Sequence, residues 1–283
     1  MALNIRAWLR LARIEHAFIA AFAVVAAQAL VARRFDTAFL FPALAPFLVT
    51  AASFAINDFY DYASDKALKR RDRPLVAGKI KRVHAFYAAL ALYFLALASA
   101  APLSATAFLI VLFYALLSFA YSARLKRLPL VGNVFIASSM AISFLYGNVL
   151  VSPAGALNYY VVLFCVVSFA AGLGREFLLT LRDVAGDKKI GARTLPMLVG
   201  AKRTVVAANA LIYVGVILSL FPLMEKTLFL PYAALILAAD ALFVAVVLKT
   251  SLSQNAATLE FARNASLWGL LAGTLAFASL AFA

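Results

Sequence analysis

The sequence predicts an all-α integral membrane protein, in which about nine transmembrane helices form one bundle around a central cavity. Composition is the first observation behind this prediction. Of the 283 residues, 66% are hydrophobic and 13% are charged, whereas soluble domains are about half apolar and about a quarter charged. The second observation is that the apolar residues form long runs separated by short basic segments. Together they exclude a soluble globular protein, and membrane topology explains the basic excess better than a nucleic-acid partner does.

Nine apolar runs approach the length of about 20 residues that a helix needs to cross a bilayer. No linker, low-complexity tract or second domain separates them, so a single transmembrane domain is expected over residues 1–283. The predicted spans are 16–32, 37–56, 83–101, 106–121, 130–150, 157–179, 205–221, 228–248 and 265–282.

The distribution of Lys and Arg predicts the orientation of these spans, because cytoplasmic loops of membrane proteins are enriched in both residues. With the N-terminus in the cytoplasm, all but three of the 26 basic residues fall on the cytoplasmic side. The exceptions are Arg33, Arg34 and Lys226. The pattern predicts a multi-pass protein of the cell membrane, with a cytoplasmic N-terminus, an external C-terminus and its long polar loops in the cytoplasm.

A first group of polar side chains follows the second run. If the helix continues past residue 56, Asn57, Asp61 and Asp65 lie at i, i+4 and i+8 and share one face with Asp58. Carboxylates this close repel one another, and an unpaired charge at the end of an apolar span is costly. A bound cation resolves both problems. Hard oxygen ligands without clustered His or Cys suit Mg²⁺.

A second group follows the sixth run, on the same predicted side of the membrane, with Asp183 and Asp187 at i and i+4. Mg²⁺ is commonly shared between a few protein carboxylates and substrate phosphates. Two such helix edges facing each other would therefore hold a diphosphate between metal ions. The alternative is that these acids only balance neighbouring Lys and Arg at a solvated interface. Helical spacing in both groups, each at the end of a span, favours the metal site.

These segments resemble the motifs of the UbiA superfamily of intramembrane prenyltransferases. Residues 57–65 are similar to its Asn-Asp-x-x-Asp-x-x-x-Asp signature, and residues 183–187 to its Asp-x-x-x-Asp motif. Further similarity lies in residues 121–126 and in Gly132-Asn133. With the nine-helix plan, the resemblance extends over nearly the whole chain.

The resemblance implies a Mg²⁺-dependent enzyme and a role for each matching residue. The implied metal ligands are Asn57, Asp61, Asp183 and Asp187. It places Asp58 and Asp65 close to the reacting groups and Tyr121 beside the reacting carbon. Basic residues on the predicted cytoplasmic side are candidates to hold the diphosphate or an acceptor phosphate: Arg13, Lys69, Arg71, Arg73, Lys126 and Arg182.

Two further segments narrow the expected reaction. Residues 65–78 and Arg175-Glu176 look most like the archaeal members, which transfer a geranylgeranyl group to geranylgeranylglyceryl phosphate in ether-lipid synthesis, a branch of phospholipid biosynthesis. The expected partners are then a prenyl diphosphate donor, a lipid acceptor and the surrounding membrane lipid. A close alternative is an aromatic-acceptor prenyltransferase of a quinone pathway, such as a 4-hydroxybenzoate-type enzyme.

Other classes of membrane protein fit less well. An ion-coupled transporter would carry acids near the bilayer midplane, and only Asp240 fits that pattern. Asp240 is interpreted as a structural hydrogen-bonding residue, and His16 and His84 as interfacial residues. The Asp-Gly string with a nearby Ala-Arg that is typical of CDP-alcohol phosphotransferases does not occur.

Overall fold

The computed structural model of the protein describes residues 4–152, 155–189, 191, 193–225 and 229–283, with the side chains of Arg127, Ala185, Asp187 and Lys189 outside the description. The described residues form helices and no strand. In chain order the α-helices are α1 (Ile5–Ala12), α2 (Ile14–Ala32), α3 (Leu40–Ala67), α4 (Arg82–Ala100), α5 (Ala105–Ala123), α6 (Val131–Val151), α7 (Tyr159–Lys189), α8 (Leu195–Val199), α9 (Ala201–Ser219), α10 (Leu230–Leu252) and α11 (Ala256–Ser279).

Nine helical segments in the described part of the chain are long and apolar enough to cross a membrane. They contain α2 to α7 and α9 to α11, which confirms the predicted all-α membrane fold with about nine spans. Three helices extend nine or more residues beyond the apolar runs from which they were predicted. Helix α3 continues to Ala67, α7 continues to Lys189, and α11 begins at Ala256. Both acidic motifs therefore lie on helices that continue beyond the apolar runs.

The outer surfaces of these helices carry large apolar side chains. Phe94 on α4 is 70% exposed, Phe113 on α5 is 59% exposed and Leu252 on α10 is 87% exposed. In a soluble protein such surfaces would drive aggregation, whereas in a bilayer they contact acyl chains.

The chain divides into two compact units, and the single domain expected over 1–283 stays a prediction. Unit 1 consists of Met1–Val25 and Thr37–Lys126, and unit 2 of Ala26–Asp36 and Arg127–Ala283. In unit 1, α3 packs against α1, α4 and α5. Its core contains small residues, Ala52, Ala55, Ala85 and Ala89 among them. Small side chains allow membrane helices to approach closely.

Unit 2 is built around α7, which packs against α6, α9 and α11. Gly174 marks a close approach of α7 to α9, because a Cβ atom at this position would lie 2.6 Å from the carbonyl oxygen of Ala208 and 2.8 Å from Cγ1 of Ile212. This contact lies about two and a half turns before the residue that opens the second acidic motif, Asp183.

Candidate active site

The first acidic motif occupies the last turns of α3 and brings two oxygen-bearing side chains to one cation. Asn57 Nδ2 donates a hydrogen bond to Asp61 Oδ2 at 3.0 Å. Lys126 Nζ lies 2.5 Å from Asp61 Oδ1 and 3.4 Å from Asn57 Oδ1. Lys126 belongs to the short 3₁₀ turn that follows α5. The predicted i, i+4 pair is thus formed, and its oxygens share an ammonium group.

Asp58 and Asp65, at the other edge of the same motif, are bound to arginines. Asp58 is 3% exposed and Asp65 is 6% exposed. Arg73 contacts both, with NH1 3.2 Å from Asp58 Oδ1 and Nε 3.6 Å from Asp65 Oδ2. Arg13 NH2 lies 3.7 Å from Asp58 Oδ1, and Arg70 NH1 lies 3.6 Å from Asp65 Oδ1. Each buried carboxylate therefore has two guanidinium partners, which offset part of its desolvation.

The segment between α3 and α4 is positioned by its own apolar residues. Leu75 and Ile80 are buried in the core of unit 1. Lys69 adopts the left-handed conformation, with φ of 54°, and the Arg73 amide donates to the Arg70 carbonyl at 3.0 Å. These turns direct Arg70 and Arg73 toward α3.

Arg13 lies at the break between α1 and α2 and is also left-handed, with φ of 43°. Its guanidinium stacks 4.3 Å from the ring centroid of Phe54. Burial, followed by the nearby positive charge of Arg73, lowers the pKa of Arg13 to about 10, while Asp58 acts in the opposite direction. Arg13 therefore remains charged at neutral pH.

Two basic candidates in unit 1 do not take part in these ion pairs. Lys69 and Arg71 are exposed, and within the described residues neither forms an ion pair with Asp58, Asp61 or Asp65. Tyr121 is half-buried near the end of α5. The contact of Arg70 with Asp65 was not predicted from the sequence, because spacing alone does not distinguish Arg70 from its basic neighbours.

The second acidic motif lies on the last turns of α7, in unit 2. Asp183 is about half exposed and accepts two hydrogen bonds from Arg182, at 2.8 Å from Nε and 2.9 Å from NH2. Arg182 NH1 also lies 3.5 Å from Glu260 on α11. The backbone of Asp187 continues the helix, but its side chain lies outside the described part of the structure.

A buried ion pair precedes this motif on α7. Arg175 and Glu176 are each 8% exposed, and their side chains are joined at 2.8 Å. One turn later, Thr180 accepts a hydrogen bond from Asn133 of α6 at 3.0 Å. The sequence interpretation used Arg175-Glu176 and Asn133 only as points of resemblance. The hydrogen bond from Asn133 links α6 to α7, whereas the Arg175–Glu176 pair lies within α7 itself.

Asp240 lies on α10, at a distance along the chain from both motifs. Its Oδ2 accepts a hydrogen bond from Ser219 at 2.9 Å, and the Tyr232 hydroxyl donates to the Ser219 carbonyl at 2.5 Å. Asp240 also lines a small cavity of about 40 Å³ within unit 2. These contacts agree with the structural role expected for Asp240.

The donor set of the first motif fits a hard divalent cation. Among the described residues, no three His, Cys, Asp or Glu side chains lie close enough together to hold a metal ion. Mg²⁺ does not require such a cage, because it is commonly bound by one or two carboxylates together with substrate phosphates and water. Asn57 and Asp61 supply oxygens of this kind, and the ammonium of Lys126 shows that they accept a cation.

Comparison with known proteins decides the family. The model of the UbiA prenyltransferase family matches residues 17–271. The chain belongs to the UbiA prenyltransferase family. This confirms the resemblance drawn from the two acidic motifs, and with it the prediction that the chain is a prenyltransferase enzyme.

Curated relatives in the UbiA family include archaeal digeranylgeranylglyceryl phosphate synthases. The protein from Methanopyrus kandleri is 32% identical over 274 residues, which covers 96% of this chain and 98% of that protein. The protein from Pyrococcus horikoshii is 36% identical over 172 residues, which covers 61% of this chain and 60% of that protein. The match to the Pyrococcus protein thus spans less than two thirds of its length.

Solved structures of UbiA proteins share the fold. A structure of digeranylgeranylglyceryl phosphate synthase has a TM-score of 0.76 and 27% identity, and the match covers 98% of both chains. A UbiA homologue from Archaeoglobus fulgidus, bound to GPP and Mg²⁺, has a TM-score of 0.68 and 21% identity over 98% of this chain and 99% of that chain.

Proposed function

We propose that this UbiA protein is a Mg²⁺-dependent enzyme that transfers a geranylgeranyl group from its diphosphate to geranylgeranylglyceryl phosphate, in archaeal ether-lipid synthesis. The observation that carries the proposal is the pair of oxygens on Asn57 and Asp61 that share a cation at the end of a membrane span. The names of the curated relatives support the acceptor. The GPP and Mg²⁺ bound to the Archaeoglobus homologue support the donor class and the metal.

In this proposal Asn57, Asp61, Asp183 and Asp187 hold Mg²⁺. The metal, when bound, neutralises the charge that develops on the leaving diphosphate. Lys126 adds a positive charge at the same place, since its ammonium already lies against Asp61 and exchanges that partner for a phosphate oxygen when substrate binds.

The arginines beside Asp58 and Asp65 bind phosphate groups, and the two carboxylates position them. Arg73 is held from two sides, which restricts its guanidinium before substrate arrives. Groups fixed in place before the reaction stabilise developing charge without reorganisation. Arg13 is held in the same way by Asp58 and Phe54. Lys69, Arg71 and Arg182 contribute further positive charge, and Tyr121 faces the reacting carbon.

The membrane orientation completes the proposal. The N-terminus lies in the cytoplasm, the C-terminus lies outside, and the acidic motifs open to the cytoplasm, where a charged diphosphate is available. The apolar helices exclude water from the allylic carbon, so that the prenyl group reaches the acceptor and is not hydrolysed.

Diphosphate release by the purified protein tests the proposal. Geranylgeranyl diphosphate is supplied with geranylgeranylglyceryl phosphate or with an aromatic acid, in Mg²⁺ or in EDTA. We expect release only with the lipid acceptor and Mg²⁺, and loss of activity in Asp61→Ala and Asp183→Ala. Asp36→Ala is the matched control, because Asp36 is a half-buried carboxylate that pairs with Arg34 on the loop between α2 and α3, outside both acidic motifs.

Each other outcome has a definite meaning. Release only with an aromatic acid would keep the mechanism and move the enzyme to a quinone pathway. Folded protein that releases no diphosphate with any acceptor would contradict the proposal and would make ion-coupled transport the next activity to test.

A further inference from the structure

Helix α1 carries an exposed surface that the reaction does not use. Ala7 and Leu11 are buried in the core of unit 1. Residues two positions apart on a helix point in nearly opposite directions, about 200° apart. Ile5 and Leu9 consequently face away from that core, and they are 62% and 44% exposed.

The charges of α1 lie on a third side. Arg6 and Arg10 are spaced i, i+4, so they form one stripe, and both are exposed. Trp8 lies on the opposite side from this stripe; it packs partly against the core of unit 1 and leaves the rest of its ring accessible. A short helix with an apolar face, a cationic stripe and a tryptophan is typical of helices that lie in the plane of the membrane interface.

The connection to α2 places this surface at the membrane boundary. Asn4 caps the start of α1, accepting from the Ala7 amide at 3.1 Å, and the left-handed Arg13 ends it. The spanning helix α2 begins at Ile14, the next residue. Because α1 directly precedes a span and packs on α3 beside the first acidic motif, it lies where the bilayer surface meets unit 1.

We propose that α1 is a docking surface for anionic phospholipid, with Arg6 and Arg10 binding the headgroup phosphate while Ile5, Leu9 and Trp8 contact the acyl chains. Charge complementarity favours an anionic headgroup, since Arg6 and Arg10, the residues of the stripe, are both cations. A Lys or Arg near an anionic membrane surface strengthens binding to that surface about five-fold. Two arginines should therefore produce a clear preference over zwitterionic lipid.

The position of this surface has a consequence that rests on the proposed function. Arg13, at the end of α1, lies 3.7 Å from Asp58 of the first motif. If the acceptor is itself an anionic lipid, the same surface raises its concentration beside the motif.

Fluorescence of Trp8 tests the docking surface without any need for activity. The chain has two tryptophans, so Trp268→Phe leaves Trp8 as the reporter. The full-length protein is reconstituted in phosphatidylcholine vesicles that contain equal mole fractions of brominated phosphatidylglycerol or brominated phosphatidylcholine. We expect several-fold stronger quenching by the brominated anionic lipid, and a smaller preference at high salt, because salt screens exposed charges.

Paired variants identify the residues responsible. Arg6→Gln/Arg10→Gln should abolish the preference, and Arg6→Lys/Arg10→Lys should keep it. Lys202→Gln/Arg203→Gln is the matched control, because it removes two exposed cations from the start of α9 and leaves α1 intact.

Three outcomes would overturn the proposal. Equal quenching by both lipids would show an interfacial helix without selectivity. No quenching by either lipid would show that α1 does not contact the bilayer. A preference that inorganic phosphate abolishes, at an ionic strength where chloride does not, would indicate a site for the free ion and not for lipid. None of these results depends on prenyl transfer, so failure here and failure of the proposed reaction are distinguishable.

Discussion

Replacing Arg73 with alanine removes the guanidinium that joins the two buried carboxylates of α3. Arg73 lies 3.2 Å from Asp58 and 3.6 Å from Asp65, and both acidic residues are buried, at 3% and 6% exposure. Removing one partner of a buried ion pair typically costs about 3–5 kcal/mol, because the other charge stays buried without compensation.

The expected cost here is smaller, because each carboxylate keeps a second partner. Asp58 retains Arg13 at 3.7 Å and Asp65 retains Arg70 at 3.6 Å. These contacts are longer than the shortest one that is lost. We therefore expect Arg73→Ala to lower the free energy of unfolding by about 2–3 kcal/mol, which is less than the cost of a buried charge left with no partner.

Equilibrium unfolding in mixed micelles, followed by circular dichroism, measures this free energy. Arg71→Ala is the matched control: Arg71 is exposed two positions away, and a surface change of this kind alters stability by less than about 0.5 kcal/mol. Asp58→Asn in the Arg73→Ala background should recover part of the loss, because it removes the uncompensated charge. A cost for Arg73→Ala as small as that of Arg71→Ala would refute the view that Arg73 holds the motif together.

Three other perturbations follow from single contacts. Lys126→Met should lower kcat/KM for the prenyl diphosphate about 10- to 100-fold, the worth of one hydrogen bond to a charged group; steady-state kinetics that match the wild type would contradict its role. Gly174→Ala forces a Cβ to 2.6 Å from a carbonyl oxygen of α9 and should cost about 1–3 kcal/mol in unfolding experiments, whereas Gly273→Ala, with open space around its Cβ, should cost far less. Asp240→Asn can keep the hydrogen bond from Ser219, so stability and prenyl transfer should persist; loss of transfer in stable protein would give Asp240 a functional role.

The sequence was sufficient to predict the helices and the spacing of the first motif, because both depend on local periodicity. Apolar runs marked the spans, and the i, i+4 relation of Asn57 and Asp61 required only that α3 continue. The extra length of α11 was missed because its first turns carry the charged residues Glu260 and Arg263 among apolar ones. The two charges pair at 2.7 Å on the exposed side, while Leu259 and Ala262 on the same turns are buried.

The partners of Asp58 and Asp65 could not be predicted from spacing. Residues 69–73 contain four basic side chains in five positions, and no regular helix or strand relates them to α3. Turns in the segment, together with burial of Leu75 and Ile80, bring Arg70 and Arg73 within reach of Asp65, although Arg70 stays exposed. Tertiary packing decides which of these basic residues contact α3, and no helical or strand periodicity in the sequence encodes that packing.

The contact of Lys126 with Asn57 and Asp61 gives the enzyme an internal counterion. Because the ammonium neutralises the carboxylate of Asp61, unit 1 can keep its fold at this edge before any metal arrives. If the site binds Mg²⁺ as proposed, the ion must compete with a tethered positive charge, which weakens its binding to the protein alone. A diphosphate reverses the balance, since it gives the displaced ammonium a new anionic partner. Metal and prenyl diphosphate should therefore bind as a pair, each strengthening the other, and the protein should take up little metal while no substrate is present.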